Sequence, residues 1–221
     1  FSLVSVLFTL SLSAQQDKEV VVPLSGNGKG KLTVELGMGN IEIIGETRND
    51  VKIMYTEANI MGHSDKEKLK SKEKSKGMKK ISGNNFSFEI KEKNNHVTVK
   101  SISYIGENNV KIRVPANTEV LVERNIGEII LIKNIKGDVS VTTNVGDIKV
   151  EDISGIVNAT SNTGNINISL KEVPGDKSMM FSTMTGSIDL AVPQTLKADL
   201  KMKSDWGDVY SDLNVEVTNE V

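Results

Sequence analysis

Apolar and polar residues alternate with a period of two along most of this chain, the spacing of half-buried β-strands, and helical periodicity is nearly absent. Leu32, Val34 and Leu36 alternate with polar residues up to a Gly-Met-Gly turn, and Ile41 and Ile43 alternate after it. Val51 with Ile53, then Phe86, Phe88 and Ile90, then Val97 with Val99 predict three further strands. Val110, Ile112 and Val114 lead to Pro115, which cannot donate to a β-ladder and therefore marks a strand end or an edge.

From Ala116 onward the alternation becomes a repeat. In the unit Asp138–Gly155, Val139 and Val141 face inward on one strand, Asn144 to Gly146 turn the chain, and Ile148 and Val150 face inward on the next. The following unit matches it with Val157 and Ala159, Asn162 to Gly164, and Ile166 and Ile168. Six such turns occur, centred on Gly39, Gly127, Gly146, Gly164, Gly186 and Gly207, and from Gly127 the gaps are 19, 18, 22 and 21 residues. A period near 20 signals a supersecondary unit that buries its apolar face only by stacking on its neighbours.

Two arrangements fit this pattern. In an antiparallel meander each strand pairs with its sequence neighbour; in a solenoid each pairs in parallel with its equivalent one repeat later. The solenoid alone explains why like residues recur at one phase. It places Asn125, Asn144 and Asn162 in a ladder of mutually bonded amides, with Asp205 as a later polar substitute. The expected fold is all-β: a single-stacked β-solenoid (β-helix-like) of short strands with glycine corners and a repeat of about 20 residues. Residues 15–115 form an N-terminal β region, continuous with the solenoid repeats of 116–221. Val215 and Val217 read as a strand in progress, so a further stretch of chain is expected beyond Val221.

Composition sharpens this only in places. The net charge is −2, which gives no drive toward nucleic acid, and the 221 residues contain no cysteine, excluding disulfides and thiolate metal sites. Residues 1–14 (FSLVSVLFTLSLSA) are an apolar run ending in small residues before Gln15, Gln16 and Asp17, the form of a signal-peptide remnant. No Met or basic stretch precedes Phe1, so the sequence is expected to start inside its leader. No other run approaches the roughly 20 apolar residues of a transmembrane helix. Residues 65–80 hold eight lysines against three acidic residues and lack strand character. They are read as a solvated loop, with a basic patch for an anionic partner as the alternative.

Candidate chemistry is thin. His63 and His96 lie in different segments, with no serine or cysteine nucleophile pattern beside either. Acidic residues beside the turns (Glu128, Asp138, Asp147, Asp152, Asp176 and Asp208) raise calcium, but the repeat lacks the tight Gly-Gly nonapeptide of calcium-binding β-rolls. Their expected role is to accept from local backbone donors. Trp206 and Tyr210 flank the last turn, where Trp206 is expected to cap the apolar end of the stack; stacking on a ligand is the other reading.

The stretch Arg113-Val-Pro-Ala-Asn-Thr-Glu-Val-Leu-Val, followed by repeats of Gly-(Asp/Glu/Asn/Ser)-(Ile/Val), resembles a bacterial β-strand-repeat family of candidate adhesins, a domain of unknown function. Lys201 to Asp212 is similar to the closing segment of its members from the Bacteroidetes. The resemblance implies an exported solenoid-like protein with no catalytic residue. No catalytic, cofactor-binding, metal or ligand-binding residue is assigned, and no cofactor. The expectation is a non-enzymatic surface or secreted interaction module that contacts a protein or glycan. The alternative is a periplasmic structural or regulatory scaffold for an envelope protein.

Overall fold

The computed structural model describes residues 18–26, 29–56, 88–101, 108–175 and 177–213. The leader-like residues 1–14, the lysine-rich stretch 65–80, and Phe86, His63, Asp176, Val215 and Val217 lie outside them. The described chain is all-β.

Two parallel ladders share one core. The first joins β6 (His96–Ser101), β2 (Lys31–Met38), the leading halves of β8 (Glu119–Lys133) and β9 (Val139–Ile153), β10 (Val157–Thr163) and β12 (Met180–Thr185). The second joins β7 (Val110–Pro115), β3 (Ile41–Glu46), the trailing halves of β8 and β9, β11 (Ile166–Leu170) and β13 (Ile188–Ala191). Because β8 and β9 run through the corner between the ladders, the 13 strands of the described residues belong to one sheet. Each pass along both ladders is a rung.

Register sets the core. Val110, Ile41, Ile130, Ile148, Ile166 and Ile188 lie in one column of directly paired residues. On the other ladder Val99, Val34, Val122, Val141, Ala159 and Phe181 do the same. A one-residue slip would turn every member of a column out to solvent, so burial itself enforces the register. The meander is thereby excluded for the repeat: its strands pair in parallel with their equivalents.

The order of rungs departs from the order of the chain. The rung β2–β3 sits between β6–β7 and β8, although residues 47–118 intervene in sequence. At that end the ladders are closed by antiparallel strands: β5 (Phe88–Lys93) on β6, β4 (Asp50–Tyr55) on β7, and β1 (Lys18–Pro23) on β4. Asn94 and Asn95, both with positive φ, make the tight β5–β6 turn. Tyr55 and Phe88 meet edge to face across this end at 5.1 Å, sealing it with aromatic surface.

The far end corrects the expectation. Strands stop at Ala191 among the described residues, and the sixth turn, around Gly207, lies in a segment without strand. Asp205 pairs with Lys203 at 3.0 Å instead of joining the asparagine ladder, whose next position is Met184. Trp206 is fully exposed and caps nothing. Its place before the turn glycine is the one held by Ile126 and Val145, which are also exposed.

Candidate interaction surface

The corner is built from glycine. A Cβ on Gly146 would stand 1.9 Å from the carbonyl oxygen of Gly127, and the φ of Gly146 is +122°. No other side chain fits a backbone approach this close at that dihedral. Gly39, Gly127, Gly146, Gly164 and Gly186 stack in this way, each against the rung below. Flat stacking of the corners lets the outer residues of successive rungs fall into rows.

One row is the expected ladder. Asn144 donates from Nδ2 to Asn125 Oδ1 at 2.7 Å, and Asn162 donates likewise to Asn144 at 2.8 Å. Just past the turn, side chains take up backbone donors of the next rung. Asp147 accepts from the N–H of Asn165 at 2.8 Å, and Asn165 accepts from that of Ser187 at 3.0 Å. Asp138 accepts from Ile156 N–H at 3.0 Å. These two aspartates have the structural role expected of them, and among the described residues no three His, Asp or Glu side chains converge as a metal site. His96 bonds to Thr33 Oγ1 through Nε2 at 2.8 Å, on the rung end away from these rows.

Beneath the corner lies a feature the motif reading passed over. Arg124 is the one charged side chain buried among the described residues, and it faces Thr143 in the next rung. Its Nε donates to Thr143 Oγ1 at 3.1 Å and its Nη2 to the carbonyl of Val145 at 3.2 Å; Nη1 reaches the Gly39 carbonyl at 3.4 Å. Burial pushes the guanidinium down to about 10, opposed by the carboxylate of Asp147. The column continues as Ser161 and Thr183, whose hydroxyls bond to the carbonyls of Gly146 and Gly164. Arg124 follows Val120 and Val122 at inward phase, and that phase was the available signal in the sequence.

The two outer faces differ in chemistry. On the second ladder, Glu151 is held between Lys133 and Lys149, with the Lys149 contact at 2.7 Å. Hydrogen bonds from Lys133 and then Lys149 keep its carboxyl below the usual carboxylate range, and the same contact raises Lys133. Asp147 and Asp189 border a shallow groove of about 500 Å³ beside this network. On the first ladder, ion pairs Lys100–Glu35 and Lys31–Glu119 cross β6, β2 and β8, but from β9 onward Ser140 and Thr142, Asn158 and Thr160, and then Ser182 form an uncharged stretch of hydroxyls and amides, bordered by the exposed Met180. An ion pair must be desolvated and broken to accept a ligand, whereas hydroxyl and amide rows exchange water for ligand hydrogen bonds at little cost.

The family described as Toastrack DUF4097 matches residues 131–221, from the trailing half of β8 onward. A solved structure of a candidate cell adhesion protein from Clostridium sporogenes is similar in fold, with a TM-score of 0.51 at 12% identity. That likeness covers 80% of this chain and 98% of the other. A candidate adhesin from Bacteroides fragilis aligns with the same coverages, also at 12% identity, with a TM-score of 0.27. No protein of curated function matches the chain in sequence.

Proposed function

We propose that this protein is a non-enzymatic, exported bacterial β-repeat protein whose stack presents a rigid surface to a glycan or protein ligand, an adhesin-like interaction module. Its body is read as a single-stacked β-solenoid with a repeat of about 20 residues, in which 15–115 and 116–221 are continuous. The observation that carries this reading is the uncharged outer stretch of β9, β10 and β12, where Thr142, Thr160 and Ser182 fall in one register row beside the row of Ser140 and Asn158, which ends on exposed Met180. Such a lattice suits an extended polymer with repeating hydroxyl or amide groups, because solenoids offer long, preformed contact surfaces. The likeness in fold to a candidate cell adhesion protein is consistent with it.

The decisive experiment is protease shaving of intact cells that express the full-length protein, with a periplasmic protein as control. Loss of this protein while the control survives supports the surface module. Protection of both refutes surface display and favours the periplasmic scaffold, for which crosslinking to envelope proteins is the next measurement.

A further inference from the structure

The stack ends on β12 and β13, which among the described residues pair on one side only, with β10 and β11. The inward position of Ile188 is 43% exposed, whereas Ile148 and Ile166 in the same column are fully buried. Backbone direction repeats from rung to rung. Ile148 N–H donates to the Asn165 carbonyl and Ile166 N–H to that of Ser187, at 2.9 Å each. Gly164 N–H donates to the Thr185 carbonyl at 2.8 Å. By the same phase, the N–H groups of Gly186 and Ile188 face the open side.

The next stretch of chain has the sequence of a rung. Gly207 follows Gly186 by 21 residues, as Gly186 follows Gly164 by 22. Counted from the turn glycine, Leu200 and Met202 hold the inward positions of Val157 and Ala159, and Val209 holds that of Ile166 and Ile188. Ser204 holds the position of Ser161 and Thr183, the hydroxyl column under the corner. Yet Met202 is 55% and Val209 54% exposed, with no strand between them. Seven residues separate Val192 from Leu200, against the eight that return the chain from Leu170 to Met179, so the reach is that of the preceding rung.

We propose that residues 200–213 dock on β12 and β13 of the same chain as one further rung, for which this edge is the acceptor. An open parallel edge is a template for any strand. A segment tied by so short a linker presents itself at an effective concentration near the millimolar range, ahead of a second copy or a foreign strand. Docking passes the Gly186 N–H to the carbonyl of Trp206 and the Ile188 N–H to that of Asp208. It also brings Trp206 into line with Ile126 and Val145 on the outer corner. The inference rests on register and spacing, and is independent of where the protein resides.

Two experiments on the full chain test it. The protein has no cysteine, so Ser182→Cys with Lys203→Cys reports one contact: docking makes these direct neighbours, as Thr160 and Ser182 are now. Under mild oxidation the pair should form an intrachain disulfide as fully as the control pair Thr160→Cys with Ser182→Cys. A disulfide between two chains, or none while the control closes, overturns the proposal. In hydrogen exchange, the Gly186 and Ile188 amides should be protected, and Met202→Asp should speed both at least tenfold while Ile148 and Ile166 stay unchanged. Equally fast exchange of both amides with and without the substitution also overturns it.

Discussion

The guanidinium of Arg124 and the hydroxyl of Thr143 meet at 3.1 Å across the boundary between two rungs, both buried beneath the corner. The contact belongs to a cluster in which one cation serves acceptors on the two rungs that flank its own, those of Gly39 and of Val145. A buried charge is costly, and it is retained here where the guanidinium donates to the corner carbonyls of Gly39 and Val145. Arg124→Met keeps the length and removes the donors. The expected loss is about 2 kcal/mol, since stranded buried acceptors outweigh the recovered desolvation cost, or a Tm lower by roughly 4–8 °C. Folded Arg124 loses its proton only around pH 10, so the deficit of the variant should be the same at pH 5 and pH 9. Denaturant melts at the two pH values check this, and a deficit that shrinks by half between them contradicts the account.

Gly146→Val places a branched side chain at a φ of +122° and against the Gly127 carbonyl. Strain and overlap together should cost well over about 1 kcal/mol. Gly175→Ala, where an added Cβ meets nothing within 4 Å, should stay within about 0.5 kcal/mol of the parent. Thermal melts of the two variants decide whether the corner or glycine content in general matters.

Asn144 makes two ladder bonds, while Asn125 and Asn162 each make one of these. Replacing Asn144 by leucine should therefore cost about twice as much as replacing Asn162, on the order of 1 kcal/mol against half that, given the modest net worth of an exposed amide bond. Equal losses in the two variants would show that the bonds are not the source of the effect.

Lys133 and Lys149 hold the Glu151 carboxyl below its ordinary range. A carboxylate depressed on folding adds stability that is present above its unfolded value and fades as pH falls through the folded one. Stability should accordingly decline below about pH 4.5, and Glu151→Gln should flatten that part of the profile while leaving the slope above pH 6 unchanged. NMR titration of the Glu151 side chain gives the direct measurement: a midpoint at or above that of an exposed glutamate would refute the assignment.

Legibility in the sequence followed distance along the chain. The period-two alternation around Val139, Val141, Ile148 and Val150 specified strands, and the recurrence of asparagine at 125, 144 and 162 specified parallel stacking, because a repeat carries its neighbour's address in its own spacing. Arg124 was readable in phase but not in purpose, since two of its three partners are backbone carbonyls that no residue type announces. The neutral face of Ser140, Thr142, Asn158 and Thr160 looked like ordinary exposed strand positions until register aligned them in rows.

By itself, the sequence determined an all-β chain, glycine corners, inward columns and the amide ladder, all consequences of local periodicity. Only the tertiary structure decided that Gly39 stacks beneath Gly127 across 87 intervening residues. It also decided that β2–β3 lies between β6–β7 and β8, and that antiparallel β4 and β5 close that end. Those pairings join strands of equivalent pattern, and nothing in alternation distinguishes one partner from another. Which edges pair is a property of the assembled sheet.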